Sequence, residues 1–227
     1  MKAREMLERH DCAQTLAPRA PRLRVWIDFV CPYCFLAEVP LREATQGLNV
    51  IIEWMPFELR PYPQPTLRPE GEYLQTVWRR SVYPLAEALG VPIRLPPVSP
   101  QPYSRLAFEG LQFAREHHKS DEYVDATLRA FFQEGLDIGQ PQVLHDIARR
   151  VGLPDEAFAA ALQQRRYAEA HKAALEQARE TGIRAVPTLI VGEHRIEGMP
   201  SSEALRRAIG TSRVSVDSRI ATPPGSE

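Results

Sequence analysis

The residues with the clearest chemical potential are two cysteines separated by a dipeptide, Cys31-Pro32-Tyr33-Cys34. A thiolate is the reactive form of cysteine, so the surroundings of such a pair decide what it can do. The run Arg24-Val25-Trp26-Ile27-Asp28-Phe29-Val30 reads as a β-strand, rich in β-branched and aromatic residues. A helix is predicted directly after it, with Phe35, Leu36, Val39, Leu41 and Ala44 on one side. The start of a helix offers unpaired backbone N–H groups and the positive end of its dipole, both of which favour a thiolate. Pro32 suits a first helical turn, where its missing N–H is no loss. The spacing brings the two sulfurs within bridging reach, with Cys31 expected to be open to solvent and Cys34 to face the protein. Cys31 would attack a disulfide, and Cys34 would resolve the mixed disulfide that forms. Half of a zinc site is the competing reading. Zinc takes about four ligands; the third cysteine is Cys12, and His117 and His118 are adjacent. No metal is predicted.

The elements around the motif give an α/β order. Val50 to Phe57 reads as a second strand, so the chain opens as βαβ. Prolines are dense from Glu58 to Val98, with one helix from about Gly71 to Leu89. From Ser104 to Gly182 the apolar spacing is helical throughout, suggesting five helices. Thr188 to Val191 and Arg195 to Glu197 then form a hairpin around Gly192-Glu193-His194. A last helix is predicted from Glu203 to Ile209, capped by Ser201 or Ser202 and stopped by Gly210. The expected organisation is an N-terminal extension (1–23), a βαβ…ββα domain in two halves (24–70 and 183–210), a helical insertion (71–182) and a flexible tail (211–227).

The bulk properties bound the function classes. A chain of 227 residues with 44% hydrophobic content can bury a core without disulfides or metal. Lys and Arg number 28 against 29 Asp and Glu, a net charge of −1, so no nucleic-acid partner is expected. No apolar run has the length of a membrane span. Glu5, Glu8, Arg9, His10 and Asp11 stand where a secretory signal would need roughly 7–15 apolar residues. The expected location is cytoplasmic, where a close cysteine pair is catalytic or metal-binding more often than structural.

Gly182-Ile183-Arg184-Ala185-Val186-Pro187-Thr188, before the third strand, completes a pattern. By itself Pro187 reads as an ordinary trans proline at a strand start. Together with Cys-Pro-Tyr-Cys, and with helices between, it resembles the DsbA-like branch of the thioredoxin superfamily, more narrowly its FrnE-type subgroup. Supporting segments are Phe57-Glu58-Leu59, Phe131-Phe132-Gln133 through Asp137-Ile138-Gly139, and Leu144 through Ala148, and the resemblance spans roughly 22–210. It implies a thioredoxin-like fold with a helical insertion and thiol–disulfide oxidoreductase activity. It also implies a cis Pro187 against the sulfurs and a Val186 backbone that hydrogen-bonds an extended substrate. Pro32, Tyr33 and the Thr188 hydroxyl are further expected substrate contacts. The periplasmic members carry His in the dipeptide; Tyr33 supplies no positive charge, so a less oxidising pair is expected. Substrates would be thiol- or disulfide-containing proteins or small molecules. No cofactor is expected, although glutathione would serve as co-substrate in the alternative reading, an isomerase or transferase of the 2-hydroxychromene-2-carboxylate isomerase or kappa type. Those families place Ser at the site and lack the resolving cysteine, which is present here as Cys34. A third reading is a redox-silent, chaperone-like binding module. Either a monomer or a homodimer fits.

Other residues divide by placement. An inward Asp28 could move the Cys34 proton, and an outward one would be a solvated strand-end carboxylate. Glu53 and Glu58, near the second strand, read best as surface groups, with an approach to Cys34 through space as the alternative; Cys12 reads as an ordinary thiol or an auxiliary redox partner, and His145 as packing or exposed. Trp54, Trp78, Phe131 and Phe132 are expected in the core or along a groove.

Overall fold

The computed structural model describes residues 20–220, the last eight by backbone alone; Cys12 lies outside the described residues. Four strands form one mixed sheet in the order β2-β1-β3-β4. The central strand β1 (Arg22–Ile27) pairs in parallel with β2 (Ile51–Pro56) and antiparallel with β3 (Thr188–Val191), which pairs antiparallel with the edge strand β4 (His194–Glu197). A parallel pair needs a crossover; here it is α1 (Pro32–Leu36) and α2 (Glu38–Thr45). β1 begins two residues before the expected boundary because Leu23, fully buried, already takes an inward position opposite Val191.

The single helix expected after the cysteines is broken at Ala37. Pro40 explains the break: it has no N–H to offer the Leu36 carbonyl one turn earlier, and its ring crowds that group. α1, which follows Cys31, is therefore only five residues long.

Between β2 and β3 lie the helices of the insertion. α3 (Glu72–Val77) continues through a π-helical turn (Trp78–Val82) into α4 (Tyr83–Ala88). α5 (Arg105–Glu116), α6 (Ser120–Arg129, extended by a π-helical turn over Ala130–Glu134), α7 (Pro141–Arg150), α8 (Asp155–Gln163) and α9 (Ala168–Glu180) follow. α5 is the hub, packing on α6, α7, α8 and α9, while α9 also reaches β2. Trp78, Phe131 and Phe132 are buried; Trp54 is nearly so, its indole N–H donating to Asp121 Oδ1 at 2.6 Å. His145 pairs with Asp155 at the start of α8.

The hub depends on Gly110. A Cβ built there would collide with the Tyr123 hydroxyl, and would stand 2.8 Å from Tyr123 Cζ and 3.0 Å from Phe158 Cζ. Both rings are fully buried, and the Tyr123 hydroxyl donates to the Ala107 carbonyl at 3.1 Å. Alanine adds about 0.5–1 kcal/mol of helix preference over glycine, but overpacking a rigid interior costs about 1–3 kcal/mol. Gly110→Ala is therefore expected to lower stability in urea denaturation, and an unchanged or raised midpoint would refute this account of the α5 crossing.

The C-terminal end differs from expectation. α10 runs over Ser202–Ile220, so Gly210 does not stop it and the first half of the expected tail is helix. Glycine costs about 1 kcal/mol inside a helix, and packing offsets that here. The Ser212 side chain is buried, with its hydroxyl 3.2 Å from the Val191 carbonyl of β3 and 2.9 Å from the Ala208 carbonyl.

Candidate active site

β1 delivers the chain to a turn, Asp28-Phe29-Val30, closed by the Cys31 N–H donating to the Asp28 carbonyl at 3.0 Å. Cys31 is the extended residue before α1, and its carbonyl accepts from the Cys34 N–H at 3.0 Å. The side opposite the motif comes from the segment leading into β3, where the Val186–Pro187 peptide bond is cis. The Cys31 thiol donates to the Val186 carbonyl, with the sulfur 3.6 Å from that oxygen. Residues 155 positions apart thus meet at one sulfur.

Two expectations are corrected here. Cys31 is not open to solvent: it is 3% exposed, and Cys34 1%. The Val186 carbonyl covers the Cys31 sulfur on one side, while the insertion and its flanking loops wall the other. Access is through a cavity of about 290 Å³, lined by Cys31, Pro32, Tyr33 and Val186 and, opposite them, by Leu59, Arg60, Leu67, Tyr73, Leu74, Trp78 and Gln101. The two proline-rich loops of that wall are tied by the Gln101 N–H, which donates to the Leu67 carbonyl at 2.8 Å. Tyr33 is fastened by its hydroxyl, 2.7 Å from Ser81 Oγ in the π-helical turn. The second correction concerns Thr188. It is buried, and its hydroxyl donates to the Ala185 carbonyl at 2.7 Å, so it braces the proline loop and is not among the cavity-lining residues.

Asp28 points inward. Its side chain accepts from the Leu59 N–H at 2.7 Å (Oδ2) and the Val30 N–H at 3.3 Å (Oδ1), and is hydrogen-bonded to the Ser104 hydroxyl at the start of α5. Burial pushes its carboxyl up to about 6; those three hydrogen bonds hold it down in part, and the Glu58 charge adds to the rise. Burial likewise drives the Cys34 thiol well above the ordinary cysteine range, reinforced by its hydrogen bond with Cys31 and by the Cys31 and Asp28 charges, with an Asp28 backbone hydrogen bond opposing.

Glu53 pairs with Arg22 at the start of the sheet, in line with a surface role. Glu58 does not stay at the surface. It is buried against His171 of α9, Oε1 to Nε2 at 2.5 Å. Ser104 and Arg60, which line the cavity, and His171, which pairs with Glu58, belong to none of the sequence motifs. The signal available for His171 was its place seven residues before Ala178, the two buried positions of a polar helix. Among the described residues no helix is long and apolar enough to cross a membrane, and no group of three or more His, Cys, Asp or Glu side chains could hold a metal ion.

The sheet order, the cysteine pair at the head of α1 and the cis proline facing it define a thioredoxin-like oxidoreductase scaffold with a helical insertion. The chain belongs to the DSBA-like thioredoxin domain family, whose model matches residues 22–210. It is 44% identical over 189 residues to the uncharacterized protein YwbO of Bacillus subtilis (strain 168), covering 82% of this chain and 94% of YwbO. Among solved structures it is similar to the probable DsbA oxidoreductase SCO1869 of Streptomyces coelicolor, with a TM-score of 0.72, 19% identity, and 91% and 93% of the two chains covered. A 2-hydroxychromene-2-carboxylate isomerase aligns with a TM-score of 0.69 at 17% identity, covering 89% of this chain and all of the isomerase. The cytosolic disulfide reductase DsbM of Pseudomonas aeruginosa, solved with GSH, aligns with a TM-score of 0.63 at 17% identity, over 88% and 100% of the two chains. At these identities the structural likenesses establish the fold.

Proposed function

We propose that the protein catalyses thiol–disulfide exchange, with Cys31 as nucleophile, Cys34 as resolving thiol and Asp28 as the acceptor of the Cys34 proton. The observation that carries the reading is the convergence on one sulfur: Cys31 lies at the head of α1, shares a hydrogen bond with Cys34, and faces the Val186 carbonyl at 3.6 Å. In the reducing direction the Cys31 thiolate attacks one sulfur of RS–SR. The S–S bond breaks, one RS⁻ leaves and takes a proton, and a Cys31–SR mixed disulfide remains. Cys34 passes its proton to Asp28 and attacks the Cys31 sulfur, releasing the second RS⁻. Two electrons move from the protein pair to the substrate, which leaves as two thiols; the oxidising direction reverses every step. Asp28 is suited to its part because a carboxyl at about 6 is mostly ionised at neutral pH and still basic enough to accept a proton.

The test is an equilibrium titration in glutathione buffers of varied ratio, quenched with acid and alkylated. One two-electron transition is expected, with two of the three cysteines lost to alkylation together in the oxidised form. A midpoint near about −270 mV would assign a reductase, and one near about −120 mV an oxidant. No transition at any ratio, or loss of a single thiol only, would end the proposal.

A specific observation favours small thiols over folded-protein disulfides as substrates. A Cys31 residue at 3% exposure, at the wall of a cavity of about 290 Å³, suits a molecule that can enter rather than a protein surface that must stay outside. Arg60 lines the same cavity and makes no ion pair among the described residues, which suits a carboxylate on the entering molecule. Glutathione, present in the DsbM structure, fits that chemistry and is the first compound to try as co-substrate.

A further inference from the structure

We infer that the buried Glu58–His171 pair is a positioning pair for the resolving half of the site, holding a carboxylate behind Asp28, the acceptor of the Cys34 proton. The inference rests on the exchange reading above and assigns residues that the cysteine chemistry does not require.

The pair is brought together across 113 residues, and its side chains are 5% (Glu58) and 6% (His171) exposed. The two ends join the site by different routes. Leu59, next to Glu58, donates its N–H to Asp28 Oδ2 at 2.7 Å. The His171 ring stacks on Phe108 at 5.5 Å between centroids, and Phe108 lies 4.6 Å from Phe29, the residue after Asp28. Among the described residues, His171 Nδ1 is buried without a hydrogen-bond partner. That orphan atom selects the proton arrangement. A doubly protonated ring, or a protonated Glu58 donating to Nε2, would put a hydrogen on Nδ1 and bury a donor with nothing to accept it. The tautomer with hydrogen on Nε2 leaves a bare acceptor at Nδ1 instead of an unpaired N–H donor. It donates to Glu58, which remains an acceptor and a negative charge, and the short contact agrees with a charge-assisted bond.

The groups facing Asp28 are Cys34 from α1, Glu58 after β2, the Ser104 hydroxyl from α5 and the N–H groups of Leu59 and Val30; Arg60 lines the cavity alongside. Glu58 meets His171 and Asp28. Burial is the larger reason that Asp28 holds its proton up to about 6, and the Glu58 charge works in the same sense. Without that charge Asp28 would ionise at lower pH and be a weaker base for Cys34.

Single-turnover reduction of oxidised glutathione separates the two steps, since the first thiol equivalent reports attack by Cys31 and the second reports resolution by Cys34. Glu58→Gln keeps an acceptor for His171 Nε2 and removes the charge. It is expected to leave the first step within about twofold of wild type. The pH midpoint of the second step should move down by about half to one pH unit. His171→Gln, made singly, still offers Glu58 an N–H and keeps its charge, so the midpoint is expected to stay at the wild-type value. An unmoved midpoint in a folded Glu58→Gln protein overturns the inference. Should that variant not fold, ¹⁵N NMR of wild-type His171 decides: hydrogen on Nε2 alone at neutral pH supports it, and hydrogen on Nδ1 overturns it. If wild type yields no first thiol equivalent, the exchange reading itself fails. If the first step proceeds and the second ignores Glu58, only the inference fails.

Discussion

Replacing Cys31 by serine is expected to lower disulfide reduction by on the order of 10³-fold or more, because the attacking thiolate is removed and a serine hydroxyl does not ionise usefully near neutral pH. The fold should survive. Cys31 sits outside α1, its hydrogen bonds to the Val186 carbonyl at 3.6 Å and to Cys34 are weak ones through sulfur, and a serine hydroxyl can donate and accept in their place. Cys34→Ser should separate the two roles: Cys31 still attacks, no resolving thiol follows, and a mixed disulfide with the substrate accumulates and can be weighed by mass spectrometry. If Cys31→Ser reduces insulin or oxidised glutathione as fast as wild type, the assignment of the nucleophile is wrong. Because Cys31 is reached through a cavity, the loss should be as complete with glutathione as with a protein substrate, while wild type should favour the small one.

Much of this site was legible in the sequence, for reasons that are local. The β-branched and aromatic run before Cys31, the proline after it and the helical spacing beyond it are short-range signals, and they placed the motif at a strand-to-helix junction that β1 and α1 reproduce. The hairpin of β3 and β4 was equally local. The remaining features are set by contacts distant in sequence. The burial of Cys31 depends on Val186, 155 residues away, and on loops that a strand-and-helix pattern does not fold into a wall. Glu58 looked like a surface carboxylate because nothing near it in the chain pairs with it; its partner is on α9. α10 passed Gly210 because β3 accepts a hydrogen bond from Ser212, a tertiary gain that a helix-stop signal omits. For α10 the tertiary contact outweighs a local preference of about 1 kcal/mol against glycine inside a helix.

Asp28→Asn should move activity and stability in opposite directions. A general base typically contributes about 10²–10⁴-fold, so the variant is expected to slow the Cys34 step by at least about 10²-fold while sparing attack by Cys31. Stability follows from proton linkage. The folded carboxyl titrates at about 6, above its ordinary value of 3.8, so the native state binds this proton more tightly than the unfolded chain does. Its stabilising contribution is therefore fully present below about pH 4 and is lost as pH rises through about 6. At neutral pH the ionised, buried Asp28 costs about 3 kcal/mol relative to a group that stays neutral. Asparagine removes that cost, but it brings a single acceptor oxygen to a place where Leu59 and Val30 both donate, which returns about 1–2 kcal/mol. The net expectation is a variant more stable than wild type by about 1–2 kcal/mol at pH 7.5, with the advantage gone at pH 4. Urea denaturation across this range measures it. A difference that does not depend on pH would mean that Asp28 is not the titrating group, and a variant with an unimpaired second step would mean that the Cys34 proton leaves by another route. If both expectations hold, Asp28 is kept at this position for its basicity, against the stability of the fold that surrounds it.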